Sequence, residues 1–212
     1  MAEFRWFGHN CFRIKAKEAT LLTDPVGAPT GFSMGKQTAD IVTISHPHKG
    51  HSNLDAVKPP YKIIDGPGEY EVNDVFVTGI RTWHDAEKGE KDGFNTIYLV
   101  LVEGMTICHL GDIGHVLTAE QLEDVEDVDI LLVPAGGAPI DAAKAAEVVA
   151  QIAPKVVIPM QYRAGSGDAN RAELAEFVKN LGIDMPEPED KLVIKPGDLT
   201  ETIRLVVLNP TS

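Results

Sequence analysis

The sequence predicts an α/β (α+β) fold in which β-sheets are covered by helices. Short apolar segments of strand character dominate the first third of the chain, whereas helical and strand-like segments alternate towards its end. Sheets that carry helices on their faces produce this order, and helical bundles and pure sandwiches do not. The chain has 212 residues, 43% of them hydrophobic, which is enough for one core and short for two. We therefore predict a single domain over residues 1–212.

The strands predicted for the first half are apolar runs that end at turn-forming residues. The pair Glu103-Gly104 separates two of these runs and indicates a hairpin turn. A short helix is expected at residues 52–58. The predicted strands are residues 3–7, 11–16, 19–24, 40–45, 61–65, 70–72, 75–82, 97–102 and 105–110.

Helices and strands alternate in the second half. Thr118 and Gln121 stand at the positions of a capping box, which opens a short helix. Residues 141–152 place their aliphatic side chains on one helical face, and residues 172–181 repeat this spacing and end before Gly182. The strands predicted here are residues 130–133, 156–160, 191–195 and 202–208.

Charge and composition exclude several classes of function. The 32 acidic and 19 basic residues give a net charge of −13, which argues against binding to nucleic acid, since that affinity comes from Lys and Arg. The uncharged stretch at residues 130–140 has 11 residues, short of the ~20 that cross a bilayer. Two cysteines, Cys11 and Cys108, form no disulfide scaffold and are expected in the core. We expect a cytoplasmic protein, a candidate homo-oligomer, with a small-molecule substrate and neither nucleic-acid nor membrane partners.

All seven histidines lie within the first 115 residues, and the densest group follows a predicted strand. His46, His48 and His51 come directly after the apolar residues 41–44. Because residues two apart in an extended segment point to the same side, His46 and His48 project together, and His51 turns in where the strand ends. Neutral imidazole is the commonest metal ligand. The group therefore predicts a metal site; the alternative is a polar surface loop that happens to contain three histidines.

Two further donors follow other predicted strands. His84 comes after residues 75–82, and Asp112 lies in a Gly-Asp turn just past residues 105–110. Glycines on both sides of Asp112 allow a sharp turn that directs its carboxylate into a cleft. Imidazoles and one carboxylate, delivered by the ends of three strands, are what a metal site at a sheet edge requires.

Several motifs occur together with these donors. They are His46-x-His48-x-x-His51, His84, Gly111-Asp112, Pro159-Met160-Gln161-Tyr162, Gly8-His9-Asn10-Cys11-Phe12 and Thr23-Asp24-Pro25. In this order they resemble the metallo-β-lactamase superfamily, and within it the small hydrolases similar to ascorbate-6-phosphate lactonase. The resemblance spans about residues 7–163. It implies a four-layer αβ/βα sandwich with a metal site at one edge of two packed sheets.

Two positions depart from the pattern of that family. The family has His-x-His-x-Asp-His and a last ligand in a Pro-x-His-Tyr context, whereas this sequence has Gly50 and Gln161 at the aspartate and histidine positions. The resemblance implies that the first metal site retains its full set of protein ligands, whereas the second site retains two. Two protein ligands rarely hold a catalytic zinc. We therefore predict one metal per chain, Zn²⁺ or else Mn²⁺ or Fe²⁺. The implied ligands are His46, His48, His84 and Asp112 for the first metal and His51 and Asp112 for the second.

The resemblance also suggests roles around the metal. Asp112 or His51 is the candidate catalytic proton acceptor, and His115 and His109 are further candidates because both lie within three residues of Asp112. Gln161, which offers a neutral carbonyl oxygen, and His115 are candidates for contact with substrate or ligands. His9 and Asp24 are either groups that hydrogen-bond to the ligand imidazoles or ordinary turn and core residues. His109 is expected to be structural.

The predicted function is that of a metal-dependent hydrolase acting on a small ester, lactone or phosphate-bearing substrate. The alternative is a non-catalytic descendant of the fold that binds a metal or another ligand. Gly50 and Gln161 separate the two hypotheses, because both changes fall in one half of the site while the other half is complete. A nuclease fits the net charge of −13 poorly.

Overall fold

Two mixed β-sheets pack face to face in the structure, a computed structural model that describes residues 1–211. The strands are β1 Ala2–Trp6, β2 Phe12–Lys15, β3 Thr20–Thr23, β4 Gln37–Thr38, β5 Ile41–Thr43, β6 Val57–Lys58, β7 Lys62–Ile64, β8 Gly68–Val72, β9 Val75–Trp83, β10 Phe94–Val102, β11 Met105–His109, β12 Ile130–Pro134, β13 Val156–Met160, β14 Leu192–Ile194 and β15 Arg204–Leu205. The helices are α1 Ala119–Glu123, α2 Ala142–Ile152 and α3 Ala175–Leu181.

The chain divides almost evenly between the two sheets. The first has the strand order β14-β1-β2-β3-β5-β7, and the second has the order β15-β13-β12-β11-β10-β9-β8. Antiparallel hairpins build β8 to β11, whereas β11, β12 and β13 run parallel because α1 and α2 carry the chain between them. A small parallel ribbon joins β4 to β6.

The main core lies between the sheets and continues under the helices. On β1, Phe4 and Trp6 point into this core while Glu3 and Arg5 are partly exposed, as expected for a strand with one buried face. By contrast, β12 and β13 are buried on both faces, because α2 covers the side away from the first sheet.

The outer face of the first sheet is covered differently. Leu21 and Ile41 belong to the main core, whereas the adjacent Leu22 and Val42 point to the opposite side and join a second cluster. Chain segments between the strands cover that cluster, including 3-10 turns and the β4–β6 ribbon. The layers agree with the sandwich predicted from the resemblance, with this outer layer built mostly from loops.

Most predicted elements are present, with shifts of up to three residues at their ends. The capping box of Thr118 and Gln121 is formed, and Gly182 ends α3 in the left-handed conformation. The helix predicted at residues 52–58 is wrong: one 3-10 turn, Leu54–Ala56, leads into β6. Pro59 and Pro60 follow, and a residue before proline avoids helical geometry. Helix α3 begins three residues later than predicted, because the Ala172 carbonyl accepts from the Arg163 N–H instead of from a helical N–H four residues further on.

The fold brings four chain segments to one edge of the sandwich. Strand β5 of the first sheet ends before His46, whereas β9, β11 and β13 of the second sheet end before His84, Asp112 and Gln161 respectively. Among residues 1–211, no helix is both long enough and apolar enough to span a membrane.

Candidate metal centre

His46, His48 and His84 form the first donor group at this edge. One ring nitrogen from each residue lies within 4.8 Å of the others. The ring centroids of His46 and His84 are 4.7 Å apart, and those of His46 and His48 are 4.5 Å apart. The structure thus brings together the three imidazoles that the resemblance assigned to a first metal.

Ring nitrogens of His46 and His84 lack hydrogen-bond partners. In the part of the chain that the structure describes, Nε2 of His46 and Nδ1 of His84 are buried without one, and Nε2 of His84 makes no hydrogen bond although it lies 3.2 Å from Asp112 Oδ2. A buried polar atom without a partner costs about 1–3 kcal/mol, so such atoms are rare unless a water or an ion satisfies them. Burial also lowers the pKa of His46 to about 3, which keeps its imidazole neutral. A divalent metal fits this group, since neutral imidazole is the form that binds it.

Ser45 and Asp24 fix the orientation of His46. Nδ1 of His46 lies 2.9 Å from Ser45 Oγ, and Ser45 Oγ lies 2.6 Å from Asp24 Oδ2. Because the carboxylate only accepts, the serine hydroxyl donates to Asp24 and receives the Nδ1 hydrogen of His46. The lone pair of His46 is therefore on Nε2, which faces the other imidazoles, as in the carboxylate-assisted histidine ligands of metal sites.

Asp112 lies between the donor groups, with one carboxylate oxygen held and the other directed at imidazoles. Its Oδ1 accepts hydrogen bonds from Asn10 Nδ2 at 2.6 Å and Gln161 Nε2 at 2.7 Å. Its Oδ2 is 3.2 Å from His84 Nε2 and 3.4 Å from His51 Nε2. Burial raises the pKa of Asp112, but the neighbouring His51 and His84 hold it well below its usual range. The carboxylate is ionised and faces both donor groups.

The Gly-Asp turn depends on the small residue before Asp112. Gly111 has φ +56, and a Cβ atom there would lie 2.6 Å from the Cβ of Ser45. The side-chain oxygen of Asn95 accepts from the Asp112 N–H at 2.9 Å, and its amide nitrogen donates to the Leu110 carbonyl at 2.9 Å. The turn is thereby fixed on both sides of Gly111.

A second donor group consists of His9, His51 and Asp112, again within 4.8 Å of one another. Nε2 of His9 lies 2.9 Å from Nε2 of His51. The other ring nitrogen of His51 lies 3.2 Å from Asp24 Oδ2. Burial lowers the pKa of His51, but Asp112 and Asp24 outweigh it and raise the pKa to about 10. The site thus attracts positive charge.

The remaining predicted site residues separate into two groups. Gln161 contacts Asp112, and Asp24 contacts His51, as expected for residues that support ligands. His9 lies among the candidate donors themselves. His115 belongs to neither donor group: its Nε2 accepts from the Trp83 N–H, and its Nδ1 donates to the Val116 carbonyl. His109 is buried, with Nε2 3.0 Å from the Asn10 carbonyl oxygen.

Sequence reasoning missed several residues that hold the site. Ser45 precedes His46 in the sequence, and Asn10 follows His9 in the motif at residues 8–12. Adjacency to a predicted site residue is the sequence signal that could have identified both. Asp168 gave no such signal: it lies in a glycine- and serine-rich loop and reaches His9 across 159 residues of sequence. Asp85 accepts four backbone N–H bonds from the loop after His84.

A cleft of about 430 Å³ opens onto both donor groups. Buried Asp112 and His84 line it, together with the exposed residues His48 and Asn170 and the partly exposed Arg171. This volume lies within the range of small-molecule sites.

The match to known families agrees with this geometry. The model of the β-lactamase superfamily domain matches residues 3–161. The chain belongs to the metallo-β-lactamase superfamily, among its metal-dependent hydrolases.

Two relatives extend over nearly the whole chain. A UPF0173 metal-dependent hydrolase of Thermococcus onnurineus is 27% identical over 234 residues, which cover 95% of this chain and 100% of that protein. A crystal structure of a metallo-β-lactamase superfamily protein from Thermotoga maritima is 35% identical, with a TM-score of 0.82 and coverage of 99% of both chains. A metallo hydrolase from Ignicoccus hospitalis, 19% identical with a TM-score of 0.64, covers 90% of this chain and 97% of its own and shares the fold. The narrower resemblance to ascorbate-6-phosphate lactonase stays a prediction.

Proposed function

We propose that the protein uses a zinc ion held by His46, His48 and His84 to hydrolyse a small ester, lactone or phosphate-bearing substrate in the cleft. The observation that carries the proposal is the set of buried, unpartnered imidazole nitrogens described above for residues 1–211. Nitrogen donors favour zinc over magnesium or calcium, with Mn²⁺ and Fe²⁺ as the other candidates. The Thermotoga maritima relative carries a Zn-dependent hydrolase designation, which supports the same choice.

The metal and the chain have separate tasks in this reaction. When bound, zinc supplies a Lewis acid that polarises a carbonyl or phosphoryl oxygen and makes water nucleophilic near neutral pH. Asp112 Oδ2 is the candidate proton acceptor: Asn10 and Gln161 hold Oδ1 and leave Oδ2 facing the imidazoles. His51 Nε2 lies 3.4 Å from that same oxygen, but the pKa of His51 is raised to about 10, so its imidazolium stabilises the carboxylate and does not itself accept a proton at neutral pH.

The rim of the cleft supports a small polar substrate. Asn170 is exposed and Arg171 is partly exposed, and both line the opening. A guanidinium group offers several donors to a phosphate or carboxylate, and one donor of Arg171 is already bonded to the Ala138 carbonyl. We therefore expect anionic esters or lactones to be better substrates than neutral ones of the same size.

The experiment compares hydrolysis by the wild type and by two histidine variants. The substrates are p-nitrophenyl phosphodiesters, a p-nitrophenyl carboxylic ester and an anionic lactone. His46→Ala is expected to lose at least 100-fold in kcat/KM, since the loss of a zinc ligand removes the electrophile. The control, His115→Gln, replaces a histidine outside both donor groups and is expected to keep wild-type activity. Metal-loaded wild type that hydrolyses none of these substrates would favour the non-catalytic alternative.

A further inference from the structure

We propose that His9, His51 and Asp112 form a second divalent-cation site, in which His9 replaces the carboxylate that is missing at position 50. The proposal rests on the proposed function because the first metal would share Asp112 with this site. It concerns metal binding and can be tested without a substrate. It also revises the prediction of one metal per chain, which counted only His51 and Asp112 in this half of the centre.

His9 lies directly beside position 50. A Cβ atom on Gly50 would lie 3.5 Å from Nε2 of His9, an ordinary contact, and 3.2 Å from Cγ2 of Thr30. The His9 imidazole therefore occupies the neighbourhood in which the family's aspartate would stand. It is placed to supply the ligand that Gly50 lacks.

The backbone presents His9 to the cleft in a strained conformation. His9 has φ +51, a left-handed conformation that costs a residue with a side chain about 1 kcal/mol or more. Two bonds hold it there: its carbonyl accepts from Trp6 Nε1 at 2.9 Å and from the Gln161 N–H at 3.2 Å. The fold thus retains an unfavourable local conformation that directs the imidazole into the cleft.

The hydrogens on the two imidazoles also point to a cation. Nδ1 of His9 lies 2.9 and 3.0 Å from the carboxylate oxygens of Asp168, and Nδ1 of His51 lies 3.2 Å from Asp24. Since carboxylates only accept, each Nδ1 carries a hydrogen. The two Nε2 atoms face each other at 2.9 Å, and in neutral rings both would carry lone pairs. The contact therefore needs a positive charge, either a proton that makes one ring an imidazolium or, in its place, a metal cation.

A divalent cation fits this position by charge and geometry. Three buried carboxylates, Asp24, Asp112 and Asp168, surround the two imidazoles, and unbalanced buried charge is costly. The nitrogen separation of 2.9 Å is close to the roughly 3.3 Å that tetrahedral geometry places between two nitrogen ligands of one zinc. Two nitrogens and one carboxylate suit Zn²⁺, Mn²⁺ or Fe²⁺. Each imidazole also has the carboxylate partner that is usual for metal-bound histidine.

The experiment measures metal stoichiometry. Apo-protein is titrated with Co²⁺ and followed by visible absorption and calorimetry, and Zn²⁺-saturated, desalted protein is subjected to elemental analysis. Wild type is expected to bind two equivalents and His9→Ala one. The double variant His9→Ala with Gly50→Asp is expected to bind two again, because the new carboxylate stands beside the position of the lost imidazole and replaces it as a ligand. His115→Gln, the matched histidine control, is expected to bind two.

A second variant, Asp168→Asn, tests the proposal even if His9→Ala does not fold. This variant retains the His9 ring but removes the carboxylate that orients it. We expect the second metal equivalent to bind 10–100-fold more weakly, with the affinity for the first equivalent unchanged. Wild type that binds one equivalent at saturation, or His9→Ala that still binds two, would overturn the proposal. Wild type that binds none would overturn the proposed function as well, so the two failures are distinguishable.

Discussion

Asp24 Oδ2 lies 3.2 Å from Nδ1 of His51 and also receives the Ser45 hydroxyl that orients His46. One buried carboxylate therefore orients an imidazole in each donor group. Burial raises the pKa of Asp24, but the hydrogen bond from His51 and the nearby imidazoles lower it below its usual range. The residue is ionised in the folded protein and acts through the histidines that it positions.

Asp24→Asn is expected to weaken the binding of both metals by 10–100-fold, since His51 loses its carboxylate partner and Ser45, which orients His46, loses its own. Competition with a chromophoric chelator measures the affinity. Asp55→Asn, a change at an exposed aspartate, serves as the control and should leave the affinity unchanged. Equal affinities of Asp24→Asn and wild type would show that the carboxylate has no part in orienting the ligands.

Gly111→Ala is expected to lower the free energy of unfolding by about 1–3 kcal/mol, because the new methyl group meets Ser45 and the residue has φ +56. It should also displace Asp112 and weaken metal binding. Chemical denaturation and metal titration measure the two effects. Gly35→Ala is a matched control, since Gly35 has φ +59 but open space around its Cβ position. Gly111→Ala must lower the free energy of unfolding by more than Gly35→Ala does if the contact with Ser45 has the predicted cost.

Asp85→Asn is expected to loosen the loop that follows His84. Oδ1 of Asp85 accepts from the N–H groups of Glu87 and Gly89, and Oδ2 accepts from those of Lys91 and Asp92. An amide nitrogen in place of one oxygen would face two N–H donors. Limited proteolysis and hydrogen exchange should show faster opening of residues 85–93, with weaker binding of the first metal. Unchanged exchange there, compared with wild type and with Asp65→Asn, would contradict the assigned role.

Gly167→Ala is expected to displace the loop that carries Asp168. A methyl group on Gly167 would fall on the ring of Phe32, which also packs against Trp6 with ring centroids 5.9 Å apart. We predict a loss of binding at the second cation site with the first retained, measured by Co²⁺ titration. Gly197→Ala, at a glycine with open space, is the control. Two full equivalents in Gly167→Ala would show that the loop tolerates the change without moving Asp168.

The fold class and the members of the first donor group could be predicted from the sequence, because short stretches of sequence mark the strand ends that carry these residues. His46 and His48 share a strand end, and His84 and Asp112 follow runs whose apolar pattern shows where the strands stop. The second donor group could not be predicted from the sequence. His9, Gly50 and Asp168 are distant in sequence and become neighbours only when the loops and the two sheets pack together. A missing aspartate at position 50 therefore predicted a missing ligand, whereas the structure places the His9 imidazole beside that position.

The prediction of the helix at residues 52–58 failed for a related reason. Its apolar spacing is compatible with one helical turn, and one 3-10 turn does form at Leu54–Ala56. The two prolines that follow, and the pairing of β6 with β4, then impose an extended chain. Tertiary pairing thus overrides a weak local preference.

The most direct test of the central claim is the divalent metal content of the purified protein, compared between wild type and His46→Ala by elemental analysis. The account predicts at least one tightly bound zinc, manganese or iron per wild-type chain. It also predicts that His46→Ala, folded by circular dichroism, loses that metal during dialysis against a mild chelator. Folded wild type that binds no divalent metal, or a His46→Ala variant that retains the wild-type content, would contradict it.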